Sequence, residues 1–170
     1  MSQLEKTLLH EMCKRLLLVA DGSASGIRAA KFAIMFAKHT GAALWAQAVV
    51  DTATIRELEL SRIFIAEEAA EYARELEGDA ERQLQAVRTL ADAKKCHIET
   101  MLSRGSVHAE VIEFSMEKKI DLIILGWGTN LKRPNERDRV SQEYFHIVRE
   151  SRVSVLFVKN EAVDLEFKRF

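Results

Sequence analysis

In this sequence of 170 residues, two glycines that follow an apolar run are the strongest candidates for binding a ligand. Residues 122–125 are branched and apolar, Gly126 and Gly128 come next, and a helical pattern resumes after a charged loop. Glycine lets backbone N–H groups approach phosphate oxygens closely, and the start of a helix adds the positive end of its dipole. This succession of strand, glycines and helix is therefore a candidate phosphate site.

The charged loop offers cations to the same phosphates. It contains four basic residues, Lys132, Arg133, Arg137 and Arg139. We expect Arg133, Arg137 and Arg139 to contact phosphate oxygens, since guanidinium groups bind them through paired N–H donors. The alternative is a solvated loop in which acidic neighbours offset these charges.

Two aspartates mark the ends of earlier strand patterns. Asp21 follows the first apolar run, and Asp51 ends the second. Ligands of open parallel sheets bind at the carboxyl ends of strands, which places both carboxylates near a crevice. A structural role is equally compatible with the sequence. Asp21 can cap the next helix together with Ser23 or Ser25, and Asp51 can simply end a strand.

Strand-like and helix-like segments alternate along the chain. Apolar or alternating runs predict strands at 15–21, 42–51, 96–105, 120–126 and 153–159. Such alternation predicts an α/β fold, with an open five-stranded parallel sheet flanked by helices on both faces. The interval 52–95 is too long for one ordinary crossover helix. We therefore expect an enlarged helical crossover there, a long helix preceded by a shorter one.

The tail of the chain has a different pattern. The expected boundaries are an N-terminal extension, a domain and a C-terminal tail, at 1–13, 14–159 and 160–170. In the tail, Val163, Leu165 and Phe167 alternate with charged residues, and this period of two predicts a half-buried strand. The fifth strand would otherwise leave an exposed apolar edge, so we expect that strand and the tail to form a homodimer contact. A disordered tail is the alternative.

Composition and charge argue against several classes of function. The formal net charge of -1 gives no electrostatic reason to expect nucleic acid as the main partner. No apolar run approaches the roughly 18 residues of a membrane span, so we expect no membrane insertion and a cytoplasmic location. The two cysteines, Cys13 and Cys96, lack C-x-x-C spacing, which predicts reduced thiols. The pairs His10–Cys13 and Cys96–His97 have metal-like spacing, but they belong to the first and third strand regions, which we do not expect to be adjacent, so we predict no metal site.

The ordered motifs resemble the universal stress protein family, of the UspA-like type. The resemblance rests on "LLLVADGS", "AVVD", Gly105, "DLIILG" and "HIVRESRVSVLFVK", and it covers 14–159. It implies a flavodoxin-like sheet, similar to that of the adenine nucleotide alpha hydrolases, which is usually dimeric through its last strand. Many members of the family bind ATP or AMP where the strand order reverses.

The resemblance also implies where a nucleotide would lie. The adenine and ribose would contact the first two strand ends, at Ala20, Asp21, Gly22, Ser23, Val49 and Val50. The phosphates of ATP or AMP, with magnesium, would lie at Gly126, Gly128, Thr129, Ser141 and Gln142.

The phosphate motif implied by the resemblance is incomplete. ATP-binding members have Gly, two residues, Gly, nine residues, Gly and then Ser or Thr. Gly126 matches the first position, but Thr129 stands at the second, and Ser141 and Gln142 stand where Gly-Ser is expected. A β-branched side chain resists the backbone conformations that phosphate binding demands. We therefore expect weak or lost ATP binding.

The function implied is that of a regulatory stress-response domain, dimeric and without turnover chemistry. It would shift populations of states on binding a small ligand or an unidentified protein partner. The first alternative is an ATP or AMP sensor that uses the basic loop in place of glycines. The motif "LGWG" also resembles cytoplasmic regulatory modules of membrane transporters. A small α/β enzyme at Asp21, Gly126 and Ser141 is the least supported interpretation, because no general base is placed beside a nucleophile.

Overall fold

The computed structural model describes residues 12–128 and 139–170 of the chain. The strands β1 to β5 comprise Arg15–Val19, Ala43–Asp51, Glu99–Gly105, Leu122–Gly126 and Ser154–Val158. The helices α1 to α6 within the described residues comprise Ala24–Thr40, Thr52–Leu60, Ala66–Ala93, Val107–Glu117, Arg139–Glu150 and Val163–Arg169.

The strands form one parallel sheet in the order β3-β2-β1-β4-β5. This confirms the predicted open five-stranded α/β architecture. The strand order reverses at β1, which pairs with β2 on one side and with β4 on the other. A reversal of this kind is where parallel sheets open a crevice for ligands, at the carboxyl ends of the strands.

Helices bury both faces of the sheet. Helices α1, α3 and α6 pack on one face, around Leu16 and Leu18, while α4 and α5 pack on the other, around Leu17 and Ile123. All four of these leucine and isoleucine side chains are fully buried. Burial on both faces is why the central strands appear in the sequence as continuous apolar runs without alternation.

The long crossover consists of two helices, as predicted. One face of α3 is buried along most of its length, through Ala69, Ala80, Leu84, Val87 and Ala91. Helix α2 ends at Leu60, and Ile63 and Ile65 are exposed between the two helices. The chain leaves the right-handed helical conformation by Arg62, whose φ of 56° lies in the left-handed region. None of the described helices is both long and apolar enough to span a membrane.

The C-terminal tail is a helix, so the strand predicted within 160–170 is wrong. Helix α6 buries Val163 and Phe167, which are four residues apart and therefore on one helical face. Leu165 lies on the opposite face and is 57% exposed. Val163, Leu165 and Phe167 are also spaced as in a strand, but the packing of Val163 and Phe167 in the core beside α1 favours the helix.

Ion pairs attach the tail helix to α1. The Asp164 carboxylate accepts hydrogen bonds from Arg28 Nε at 3.2 Å and from Lys31 Nζ at 2.6 Å. The Lys31 hydrogen bond is the largest cause of a lowered Asp164 pKa, with a further contribution from Arg28. Strand β5 therefore remains the edge of the sheet, and the tail covers a helix rather than that edge.

Candidate ligand-binding site

A cleft of about 290 Å³ opens at the carboxyl ends of β1 and β2. Helices α3, α4 and α5 complete its walls. The lining residues are Val19, Ala20, Asp21, Val49, Val50, Asp51, Leu76, Asp79, Ala80, Gln83, Val107, Glu143 and Tyr144. The cleft therefore lies on the β2 side of the strand-order reversal.

Most of the predicted adenine side comes together in this cleft. Four predicted residues line it, Ala20, Asp21, Val49 and Val50. Gly22 lines a shallower neighbouring depression instead, and Ser23 is the N-cap of α1. Together with Leu76, Ala80 and Val107, the valines give the cleft apolar walls of the kind that small-molecule sites present to a flat aromatic ring.

Asp21 uses both of its carboxylate oxygens for contacts within the protein. Oδ1 accepts hydrogen bonds from the backbone N–H of Ser23 at 3.0 Å and from Ser23 Oγ at 2.7 Å. Ser23 Oγ in turn accepts from the backbone N–H of Gly26 at 2.9 Å, which caps α1. Oδ2 accepts a hydrogen bond from the Tyr144 hydroxyl. Asp21 thus supports the N-cap of α1, which was the alternative role considered from the sequence, and it also lines the cleft.

Tyr144 lies across the end of β1 from α5. Its side chain is only 3% exposed, and its hydroxyl donates to the Asp21 carboxylate. Burial raises the pKa of the phenol well above its ordinary value, and the nearby Asp21 charge raises it further. The phenol is therefore neutral at physiological pH and acts as a hydrogen-bond donor to Asp21.

Tyr144 was not among the predicted site residues, although the sequence carried part of the signal. The spacing of Tyr144 and Ile147 predicts one apolar face of a helix, and both residues are buried. A buried tyrosine normally finds a partner for its hydroxyl. The sequence did not reveal that this partner is Asp21, which lies 123 positions earlier in the chain.

Gly126 has a packing role at the end of β4. A Cβ at this position would lie 2.5 Å from the carbonyl carbon and oxygen of Ser25 and 2.6 Å from the backbone nitrogen of Gly26. These are rigid backbone atoms at the start of α1, so the absence of a side chain lets β4 and α1 meet. Neither Gly126 nor Gly128 lines the cleft.

The other predicted phosphate residues are only partly described. Thr129, Arg133 and Arg137 lie outside the described residues, as do the side chains of Arg139 and Ser141. The backbone of Arg139 and Ser141 belongs to the first turn of α5. Gln142 is exposed on α5 and does not line the cleft.

Carboxylates dominate the polar part of the cleft. Asp21, Asp51, Asp79 and Glu143 line it, and its lining within 12–128 and 139–170 includes no lysine, arginine or histidine. Gln83 contributes an uncharged amide. The described part of the site therefore presents negative charge to a ligand, which disfavours highly anionic molecules relative to neutral or weakly anionic ones.

Two of the other three carboxylates also hold a neighbouring element, and the third pairs within its own helix. Asp51 caps α2 by accepting from the backbone N–H of Thr54 at 3.0 Å. Glu143 links α5 to the start of α4, since its Oε2 accepts from the backbone N–H of His108 at 2.7 Å. Asp79 forms an ion pair with Arg82, three residues further along α3.

Comparison with known proteins identifies the family. The family model described as the universal stress protein family matches residues 12–159. The universal stress protein MJ0531 of Methanocaldococcus jannaschii is 31% identical over 151 residues, which cover 88% of this chain and 84% of that protein. The chain belongs to the universal stress protein family, as its motifs led us to expect.

Solved structures show the same fold. A universal stress protein in complex with cAMP is 21% identical, with a TM-score of 0.60 over 86% of this chain and 97% of that one. A universal stress protein from Archaeoglobus fulgidus in complex with dAMP is 14% identical, with a TM-score of 0.58 over 87% of this chain and 99% of that one. At these identities the similarity concerns the fold.

Proposed function

We propose that this chain is a regulatory domain that binds an adenine-containing ligand in the cleft, without chemical turnover and with weak affinity for ATP. The observation that carries the proposal is the cleft itself. It joins Asp21, Val49 and Val50 at the strand-order reversal, where the resemblance to the family places adenine and ribose. Two relatives of the same fold were solved with cAMP and dAMP, each of which carries adenine and a single phosphate.

The dimensions of the cleft support a small ligand. Its volume of about 290 Å³ is close to the lower end of the ~300–1,000 Å³ range of small-molecule sites. Apolar walls from Val50, Leu76 and Ala80 suit the faces of a purine. A compact adenine ligand therefore matches the cleft better than a large dinucleotide.

The arrangement of polar groups supports a binding role rather than catalysis. Ser106, His108 and Glu143 at first resemble a nucleophile, a base and an orienting carboxylate. However, Ser106 Oγ and Glu143 Oε2 both lie 2.9 Å from the same ring nitrogen, Nδ1 of His108. A hydrolytic triad uses both ring nitrogens, one toward the nucleophile and one toward the carboxylate.

We further propose that the protein forms a homodimer through β5. The strand is the sheet edge beyond β4, and Val155, Leu156 and Phe157 are only partly buried. Pairing with β5 of a second copy would satisfy the edge hydrogen bonds and cover these side chains. Light scattering on the purified protein checks this state, and the mass of a single chain at micromolar concentration would contradict it.

Calorimetric titration tests the ligand proposal. AMP and ATP are titrated separately into the purified chain, each with and without magnesium. We expect measurable AMP binding and at least about tenfold weaker ATP binding, a difference of about 1.4 kcal/mol. Micromolar ATP affinity would instead favour the nucleotide-sensor interpretation, and no heat with either nucleotide would contradict binding of an adenine nucleotide in the cleft.

A further inference from the structure

The cleft ends at Tyr144. The β1 and β2 ends line the cleft, whereas Gly126 and Gly128 at the end of β4 do not. Between these two regions, the Tyr144 hydroxyl bonds to Asp21, and the Tyr144 ring lies 6.3 Å, centroid to centroid, from the ring of Phe157 on β5. A side chain from α5 thus bridges from β5 to the end of β1.

This bridge separates the two predicted parts of a nucleotide site. The adenine side lies in the open cleft, while Gly126 and Gly128, the glycines predicted to bind phosphate, do not line it. Gly126 also packs against the backbone of Ser25 and Gly26 with no room for a Cβ. A ligand in the cleft therefore meets a buried aromatic ring where a phosphate chain would extend toward β4.

Among the residues that the structure describes, the charge of the cleft also disfavours a triphosphate. A triphosphate in the cleft would lie near the carboxylates of Asp21, Asp51, Asp79 and Glu143. Like charges about 6 Å apart repel by roughly 3 kcal/mol at an effective dielectric constant of 20. An uncharged nucleoside avoids this cost, and its hydroxyl groups can donate to carboxylate oxygens.

We propose that Tyr144 is the specificity-determining residue of the cleft, closing its β4 side so that the site takes an adenine nucleoside in preference to the triphosphate. This inference rests on the proposed adenine-binding function. The ring of Tyr144 provides the barrier, and its hydroxyl bond to Asp21 fixes the ring in place.

The test compares adenosine and ATP, both without divalent cations, by calorimetry. We expect the wild-type chain to bind adenosine at least about tenfold more tightly than ATP. Tyr144→Ala should reduce this ratio at least tenfold through a gain in ATP affinity, whereas Tyr144→Phe, which retains the ring, should keep most of the ratio. Tyr72→Ala is the matched control, because Tyr72 is 38% exposed on α3 and does not line the cleft.

Folding is measured for each variant, since removal of a buried ring destabilises a core by about 3–5 kcal/mol. If Tyr144→Ala does not fold, Tyr144→Met provides the same test with a flexible side chain that fills more of the space. An unchanged ratio in a folded Ala or Met variant overturns the role of Tyr144.

The outcomes also separate this inference from the proposed function. If the wild-type chain binds neither adenosine nor ATP, the adenine-binding function fails. The Tyr144 barrier is then supported only if Tyr144→Ala or Tyr144→Met gains ATP binding, and it is overturned if both remain without binding.

Discussion

The two sides of Asp21 differ sharply, although both lie at the carboxyl edge of one sheet. On the β2 side, Val49 and Val50 border an open cleft. On the β4 side, Gly126 packs directly on the start of α1, and Tyr144 covers the end of β1. Within the described residues, one strand-order reversal thus has an open side and a closed side.

The difference shows that a glycine after a strand can serve packing instead of a ligand. Gly126 was predicted from the sequence to approach phosphate, because glycine permits close contact with a backbone. A close backbone contact exists with Ser25 and Gly26, and contact of Gly126 with phosphate stays a prediction. Whether a glycine faces a ligand or another segment depends on which element reaches it in the fold.

Gly126→Ala tests the closed side and has the largest expected effect. An added methyl group would overlap rigid backbone atoms, so we expect a loss of about 1–3 kcal/mol in the free energy of unfolding. Denaturant unfolding measures this loss. Adenosine affinity should change little in the folded variant, because Gly126 does not line the cleft.

Gly78→Ala is the matched control for Gly126→Ala. Gly78 lies within α3, where a Cβ would meet only the flexible end of Arg82 at 3.3 Å. Alanine favours a helix interior over glycine by up to about 1 kcal/mol, so this variant should be more stable than the wild type. If both alanine variants are tolerated equally, β4 and α1 do not meet as tightly as described.

The sequence predicted the open side better than the closed side, for a physical reason. The strands were predictable because burial on both faces requires continuous apolar runs, and the carboxyl ends of parallel strands lie at one edge. The position of Asp21 follows from those facts, while Val49 and Val50 were implied by the resemblance to the family. The contact between Tyr144 and Asp21 depends on the rotation and tilt of α5, which helical periodicity does not fix.

The tail illustrates the same limit. Val163, Leu165 and Phe167 agree with a strand period, while Val163 and Phe167 also agree with a helix. Local sequence does not decide between the two. The decision comes from the buried contacts of Val163 and Phe167 and from the ion pairs of Asp164 with α1.

Ala80→Leu tests the open side. Ala80 is 4% exposed and lines the cleft from α3, so a larger side chain would fill space that we assign to the ligand. We expect adenosine binding to weaken at least tenfold, about 1.4 kcal/mol, as measured by calorimetry. Ala70→Leu, at an exposed position of the same helix, should bind as the wild type does. Equal affinity in both variants would place the ligand outside the cleft.

Asp164→Asn has the smallest expected effect. It tests how strongly α6 holds α1, the helix on which Gly126 packs. Helix α6 holds α1 through Asp164, and the start of α1 is the backbone on which Gly126 packs. Because Asp164 is 36% exposed, its pairs with Arg28 and Lys31 should contribute less than about 1 kcal/mol at pH 7. Denaturant unfolding measures this contribution.

The pH dependence of that variant has a definite sign. Folding lowers the Asp164 pKa below its ordinary 3.8, chiefly through the Lys31 hydrogen bond, so the carboxylate stabilises the fold fully above that value. The stabilisation is lost as the pH falls through the lower pKa of the folded state. The difference between the wild type and Asp164→Asn should therefore shrink toward zero under strongly acidic conditions, while Glu166→Gln on the same helix serves as the control. A difference that persists at low pH would assign the effect of Asp164 to packing rather than to its charge.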